Sequence, residues 1–277
     1  MAKLRRSARI AAAKLDKCSL PGKAVRKAKA SRALKKPLAG RKTATHRQSP
    51  IDIVPGAVCH DPDLCKVDTL NISYKPGDCC DVIVNAGGFR VNVERGCSTT
   101  LTGNHLGDAT YELAQFHAHW GTNGQKGSEH LLNGKSMSGE VHFVFWNTNY
   151  GSFCEALNKE DGLAVVGVFL KEGQHNDDYH SLIETIRKAA GGDKPFAMPK
   201  DFDLIKLLPS PDDRDFVTYA GSLTTPPFSE CVIWTVFTTP VEISYGQLNV
   251  LRNIVAENHR ECQDLCGRQI RSSITFA

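Results

Sequence analysis

The stretch Gln115-Phe116-His117-Ala118-His119-Trp120 and the later run Glu140-Val141-His142-Phe143-Val144-Phe145-Trp146 decide how this chain folds. In both stretches side chains of different character alternate, which is the period of a β-strand. His117 and His119 are two residues apart, so in a strand they project from the same face. The pattern predicts two strands of one sheet on which three imidazoles meet.

Three imidazoles on a rigid sheet, with no fourth protein ligand in view, are typical of a catalytic zinc site with one open position. A His-x-His pair alone is often only part of a pleated surface, so the surrounding residues matter. Gln115 lies two residues before His117, and Glu140 lies two residues before His142. Each can accept a hydrogen bond from an imidazole N–H, which fixes the tautomer and leaves the other ring nitrogen for the metal. These two orienting groups favour the zinc interpretation.

The rest of the chain after Pro50 consists of short alternating runs separated by Gly, Pro, Asn and Asp, as in antiparallel sheets. We predict strands at 69–74, 82–85, 90–94, 112–120, 140–147, 164–170, 216–220 and 231–238. Helices are predicted at 178–190 and 244–257, the second with Ser244 as N-cap and Gln247 three residues later. Since no βαβ series is present, we expect one mainly antiparallel domain with peripheral helices.

The charge is unevenly distributed. Residues 1–47 hold 16 Lys and Arg against one acid, Asp16, a formal charge of +15, whereas the remainder carries 18 basic and 29 acidic residues, or −11. The first segment has no aromatic residue, so we expect a mostly disordered basic tail with nascent helix. A nucleic-acid-binding or nuclear-targeting arm, a mitochondrial presequence and a simple solubilising extension remain alternatives for it.

The ten cysteines do not include a Cys-x-x-Cys pair, so no tetrathiolate zinc site is indicated. No apolar run is long enough for a membrane span, and the first twenty residues lack the apolar stretch of a secretory signal. We therefore expect a chain without a membrane span.

From Gln48 to about Phe276 the chain resembles the α-class carbonic anhydrases. The resemblance covers over four-fifths of the chain. It is carried, in the order of the family, by Gln48-Ser-Pro-Ile-Asp-Ile53, Gln115-Phe-His-Ala-His-Trp-Gly121, Gly127-Ser-Glu-His130, Glu140-Val-His-Phe-Val-Phe-Trp146, Asp161-Gly-Leu-Ala-Val165, Gly221-Ser-Leu-Thr-Thr-Pro-Pro227 and Arg268-Gln-Ile270. It implies a tail at 1–47 and a catalytic domain at 48–277, of mainly β (α+β) class. The expected domain is a single twisted, largely antiparallel sheet of about ten strands with short peripheral helices.

The resemblance also implies the chemistry, which is reversible hydration of carbon dioxide by attack of zinc-bound hydroxide. Zn²⁺ would be bound by His117, His119 and His142, with Gln115 and Glu140 behind them. Thr224 resembles the residue that accepts a hydrogen bond from the hydroxide and donates one to Glu129. His130 matches a structural histidine, and Asn258 matches a position whose carbonyl orients a zinc-binding histidine. The residues that match the substrate pocket are Val144, Val165, Leu223, Thr225 and Trp234.

The chain departs from the family pattern at two places, and each departure predicts a change in activity or stability. Gly88 aligns with the histidine that relays protons in the fast members, which predicts slower turnover and dependence on small buffer molecules as proton acceptors. The aromatic segment that normally precedes Gln48 is replaced by the basic tail, which predicts lower stability or a more open rim to the cleft. The tail also suggests weak contact with nucleic acid or another anionic surface.

Alternatives remain for the cellular location and for the function. Secreted relatives often have a cysteine at the position of Phe228, and its replacement here favours a cytoplasmic protein, with mitochondrial, nuclear and secreted locations as alternatives. A catalytically weak binding or matrix protein related to these enzymes is the alternative function. Such proteins typically lack a zinc-binding histidine, whereas this chain keeps all three.

Overall fold

The computed structural model describes residues 46–94, 96–192 and 194–276. The strands are β1 (Asp52–Ile53), β2 (Val58–His60), β3 (Asn71–Ser73), β4 (Cys79–Asn85), β5 (Gly88–Val93), β6 (Thr100–Thr102), β7 (Tyr111–Trp120), β8 (Leu131–Leu132), β9 (Gly139–Asn147), β10 (Leu163–Gly173), β11 (Phe196–Ala197), β12 (Phe216–Gly221), β13 (Val232–Phe237), β14 (Val241–Ser244) and β15 (Ile270–Ser272). The α-helices are α1 (Phe153–Ala156), α2 (Asp177–Ala189) and α3 (Tyr245–Arg252). Short 3-10 helices lie at Pro55–Ala57, Val67–Thr69, Asn104–Leu106, Thr148–Tyr150, Leu204–Leu207 and Pro211–Asp213.

One twisted sheet of 13 strands organises the domain, and a second sheet pairs only β1 with β8. Ten strands of the large sheet follow one another in the order β11-β4-β5-β7-β9-β10-β13-β12-β15-β2. The remaining three attach beside this path, β14 to β10, β6 to β7 and β3 to β6. Most pairings are antiparallel, but β13 and β14 both run parallel to β10, and β2 runs parallel to β15. The mainly β single domain with a largely antiparallel sheet of about ten strands is therefore confirmed, and the sheet is mixed.

The two faces of the central strands pack into two hydrophobic clusters. Alternate residues of β7, β9 and β10 belong to the larger cluster, including Phe116, Phe143 and Val166. Their neighbours in sequence point to the other face, where Val144 and Val165 belong to the smaller cluster. The helices α2 and α3 contribute their buried apolar residues to the larger cluster only. Burying nearly all of these side chains fixes the pairing register, because a shift by one residue would move each of them to the opposite face.

The predicted elements agree with the observed ones except at their ends. Each predicted strand is present, with its ends displaced by at most three residues. The prediction for the second helix is wrong at its C-terminus, since α3 ends at Arg252 rather than at 257. The backbone after it is drawn toward β7 instead, where Asn258 N donates to Trp120 O at 3.2 Å. The capping box of Ser244 and Gln247 at the start of α3 is confirmed.

The predicted basic tail lies outside the described residues except for His46 and Arg47. Arg47 N donates to Glu230 Oε1 at 2.9 Å, so the chain is already tied to the body of the domain at this point. Across the described part of the chain, no helix is long and apolar enough to cross a membrane.

Candidate active site

The three histidines come together on the face of the sheet that carries the smaller hydrophobic cluster. His117 and His119 belong to β7, and His142 belongs to β9 directly opposite His117. The ring centroids are 5.0 Å apart for His117 and His119, 5.4 Å for His117 and His142, and 4.8 Å for His119 and His142. One nitrogen from each ring lies within 4.8 Å of the others, close enough for all three to bind one metal ion.

Each imidazole has one ring nitrogen within hydrogen-bonding distance of an oxygen. The pairs are His117 Nδ1 with Gln115 Oε1 at 2.9 Å, His119 Nδ1 with Asn258 O at 3.1 Å, and His142 Nε2 with Glu140 Oε1 at 2.8 Å. If these nitrogens donate, the free acceptors are Nε2 of His117, Nε2 of His119 and Nδ1 of His142. The Nε2 atom of His119 is buried and has no hydrogen-bond partner. A buried acceptor without a partner is costly, and a metal ion at this point would satisfy it.

The electrostatics of the pocket keep these rings in the form that binds metal. Burial lowers the pKa of all three histidines, that of His119 to about 3. They are therefore neutral at physiological pH, and a neutral imidazole is the form that donates a lone pair.

A second group of potential ligands lies behind the first. His130, Glu140 and His142 also bring ligand atoms within 4.8 Å of one another. Here the atoms are already paired, because His130 Nδ1 is 2.7 Å from Glu140 Oε1 and His130 Nε2 is 2.6 Å from Tyr219 Oη. This group is a buried hydrogen-bond network that supports His142, and it offers no free ligand atom.

Glu140 is the centre of that network. Its Oε1 is paired with His130 and His142, and its Oε2 accepts from the backbone N–H groups of Glu129 at 3.0 Å and His130 at 2.8 Å. Burial, the largest single effect, raises the pKa of Glu140, but the two histidines together hold it well below its ordinary value. Glu140 is thus an ionised acceptor that fixes the ring of His142 in place.

Glu129 and Thr224 lie next to the histidines. Arg260 N donates to Glu129 Oε1 at 2.8 Å, whereas Oε2 of Glu129 is buried and has no hydrogen-bond partner. Burial raises the pKa of Glu129 well above its ordinary value, while the hydroxyl of Thr224 and the backbone N–H of Arg260 oppose that shift. Thr224 is itself nearly buried, at 7% exposure. Its hydroxyl is the nearby side-chain group that lowers the pKa of Glu129.

A cavity of about 830 Å³ opens in front of the histidines. Residues predicted for the site that line it are Gln115, His117, His142, Val144, Val165, Leu223, Thr224, Thr225 and Trp234. His119, Glu129 and Glu140 are buried behind this wall. Because Val144, Val165 and Trp234 also belong to the smaller hydrophobic cluster, the cavity wall is held rigid from behind.

Gly88 is not on this wall. It is buried at the start of β5 with φ +125°, and an added Cβ would lie 2.8 Å from Nδ2 of Asn258. The cavity lining instead includes residues that sequence reasoning missed, above all Arg90 on the same strand. The sequence does hold a signal for it, since 90–94 is a predicted strand, but which strand lies beside His117 depends on the sheet order.

Comparison with known proteins gives a family match and several similar relatives. A family model described as eukaryotic-type carbonic anhydrase matches residues 37–274. Carbonic anhydrase 1 of Monodelphis domestica is 36% identical over 82% of this chain and 88% of its own length. Carbonic anhydrase 3 of Rattus norvegicus is 35% identical over 82% of this chain and 89% of its own length. Carbonic anhydrase 1 of Mus musculus is 37% identical over 82% and 90%.

Proposed function

Since the chain belongs to the eukaryotic-type carbonic anhydrase family, it is a carbonate dehydratase, and we propose that it hydrates carbon dioxide with Zn²⁺ held by His117, His119 and His142. The observation that carries this proposal is the convergence of three neutral imidazoles, each with one ring nitrogen free to bind metal. Zinc in such a site supplies a hydroxide nucleophile near neutral pH. Three nitrogen ligands without a fourth protein ligand leave the open position that this chemistry requires.

The role proposed for Thr224 is to orient the nucleophile. A hydroxyl has one hydrogen to donate, and an ionised Glu129 can only accept. With its hydrogen committed to Glu129, the oxygen of Thr224 can only accept from the nucleophile, which aims a lone pair at the substrate. Oε2 of Glu129 is buried without a partner and so needs a donor, and the hydroxyl of Thr224 already lowers the pKa of Glu129. A divalent cation among the histidines would also favour the ionised form of Glu129, against the effect of burial.

The apolar wall suits a substrate that forms few hydrogen bonds. We place carbon dioxide against Val144, Val165, Leu223 and Trp234, with Thr225 at the polar side. The cavity is much larger than carbon dioxide, so small buffer molecules can enter it beside the substrate.

The proton that hydration releases has no imidazole to receive it on the described cavity wall other than His117 and His142, which are the proposed metal ligands. We therefore propose slower turnover than in members with a relay histidine, and proton transfer directly to buffer. This proposal rests on the composition of the cavity wall, because Gly88 is buried away from it.

The basic segment 1–47 supports a separate proposal, weak contact with nucleic acid or another anionic surface in a cytoplasmic protein. Affinity for a polyanion that falls steeply with salt and disappears when 1–47 is deleted would support it. Fractionation of cells that express the full chain tests the location.

Stopped-flow carbon dioxide hydration, on protein of measured zinc content, tests the proposed function. We expect one zinc per chain, activity that rises with imidazole buffer, and loss of both zinc and activity in His117→Ala. His180→Ala, an exposed histidine on α2, is the matched control and keeps both. A zinc-loaded but inactive wild type would instead favour the binding or matrix protein, and full activity in His117→Ala would refute the zinc site.

A further inference from the structure

Arg90 is the one arginine or lysine among the residues that line the cavity in the described part of the chain. It lies on β5 directly opposite His117 of β7. Residues that face each other across an antiparallel pair project from the same side of the sheet. The register therefore brings the guanidinium of Arg90 to the side of the sheet where the three histidines meet.

The hydrogen bonds of Arg90 hold it in place without using its terminal nitrogens. Its Nε donates to Asn92 Oδ1 at 3.0 Å, and Asn92 Nδ2 donates to Asp81 Oδ1 at 2.6 Å. Within the described residues, neither Nη atom of Arg90 has a hydrogen-bond partner, and no carboxylate lies within the 4.0 Å of an ion pair. Two further carboxylates, Glu94 and Glu112, line the same cavity and do not pair with Arg90.

Of the other enclosed arginines, Arg214 also bonds only through its Nε, to Pro209 O at 3.0 Å, but it does not line the cavity. Arg252 forms an ion pair with Glu172, and Arg271 forms one with Asp61. Burial disfavours the charged form of Arg90 and lowers its pKa, yet a guanidinium keeps its proton in proteins. Asp81 opposes this shift, and the Nη atoms are not among the buried polar atoms without a partner in the described residues, so they are open to the cavity, where an anion can accept from them.

We propose that the Arg90 guanidinium is a binding site for bicarbonate inside the cavity, an inference that rests on the proposed function. Bicarbonate is planar and presents two oxygens that can accept two parallel N–H donors, the geometry in which a guanidinium binds carboxylates. Carbon dioxide is neutral, so contact with the guanidinium contributes little to its binding free energy. Arg90 therefore distinguishes the charged member of the reaction pair from the neutral one, and it retains the anion in the cavity.

The test compares Arg90→Gln and Arg90→Lys with the control Arg187→Gln. The control removes the same charge from an exposed ion pair with Glu184 on α2. We expect the inhibition constant of bicarbonate in the hydration assay to rise roughly tenfold in Arg90→Gln, more than the KM for carbon dioxide, and to stay unchanged in Arg187→Gln. The wild type should bind planar oxyanions such as nitrate more tightly than chloride, and Arg90→Lys, which keeps the charge but not the paired donors, should lose this preference.

A direct binding measurement separates this inference from the proposed function. Calorimetric titration with sodium bicarbonate at constant ionic strength is made on the wild type, on Arg90→Gln, and on both in a His117→Ala background. We expect Arg90→Gln to weaken binding about tenfold in each background, because the guanidinium acts without the metal. The same loss in a protein that holds no zinc and has no hydratase activity would leave the Arg90 site standing while the proposed function fails. Equal affinity with and without Arg90 in both backgrounds would overturn the inference.

Discussion

His117 and His142 occupy directly opposed positions in the antiparallel pairing of β7 with β9, although they are 25 residues apart in the sequence. This pairing brings their ring centroids to 5.4 Å in a T-shaped arrangement. The site is therefore built on two central strands of the sheet, whose opposite face is packed into the larger hydrophobic cluster. A rigid support of this kind holds the three nitrogens close together.

Glu140→Gln should weaken the metal site from behind. Glu140 is paired with His142 and His130 through Oε1 and accepts two backbone N–H groups through Oε2, so an amide NH₂ in place of either oxygen would face a donor. We expect zinc affinity to fall roughly 10- to 100-fold and the free energy of unfolding to fall by about 1–3 kcal/mol. Zinc release to a chelator and urea denaturation measure the two effects. Glu94→Gln, an exposed acid at the cavity, should change neither, and wild-type zinc release in Glu140→Gln would contradict the assigned role.

Thr224→Ala and Thr224→Ser separate the hydroxyl from the shape of the side chain. Loss of the hydroxyl removes the proposed orientation of the nucleophile, so kcat/KM for hydration should fall about a hundredfold in Thr224→Ala. Thr224→Ser retains the hydroxyl and should lose less than tenfold. Zinc content should stay at the wild-type level in both, since Thr224 is not a proposed ligand. Equal activity of the two variants would show that the hydroxyl has no part in the reaction.

Gly88→His should destabilise the protein instead of restoring a proton relay. At φ +125° a residue with a Cβ is strained by roughly 1–3 kcal/mol, and the new atom would lie 2.8 Å from Asn258 Nδ2. Asn258 also positions His119 through its carbonyl, so a shift of Asn258 should weaken zinc binding as well. Urea denaturation and zinc affinity measure both effects. Gly88→Ala adds the same Cβ and should show both the strain and the contact with Asn258 without an imidazole, whereas Gly56→Ala, with nothing within 4 Å of its Cβ, serves as the control. Faster, buffer-independent turnover in Gly88→His would refute this account.

His105 lies outside the active site and should make the free energy of unfolding depend on pH. Its Nε2 is 2.7 Å from Thr235 Oγ1, its ring lies 4.8 Å from that of Phe216, and burial lowers its pKa from 6.5 to about 4. The unfolded chain therefore binds a proton between these pH values while the folded chain does not. Stability from this group is complete above pH 6.5 and is lost as the pH falls through about 4, on the order of 3 kcal/mol at most.

The check is the free energy of unfolding measured from pH 7 to pH 4 in the wild type and in His105→Gln. We expect the variant to be less stable at pH 7 but to have a shallower pH dependence. His180→Ala, which removes an exposed histidine, should follow the wild-type curve. Parallel curves for the wild type and His105→Gln would show that His105 is not the source of the dependence.

The sequence by itself determined which residues could form the metal site and what supports them. The two-residue spacing of His117 and His119, and of Gln115 and Glu140 from their histidines, places each pair on one face of any strand, because side chains alternate with a fixed period of two. The alternation of apolar residues likewise predicted the central strands to within three residues at their ends. These features depend only on residues that are close in the sequence, so they can be predicted from the sequence alone.

Only the tertiary structure decided what depends on contacts between distant segments. The register between β7 and β9, the place of Arg90 beside His117, the burial of Gly88 and the early end of α3 all follow from sheet order and packing. The pattern of 244–257 predicted a helix to residue 257, but α3 ends at Arg252. Beyond it the backbone and the side chain of Asn258 form hydrogen bonds with Trp120 of β7. Local propensity amounts to tenths of a kcal/mol per residue, so a few buried tertiary hydrogen bonds and apolar contacts outweigh it.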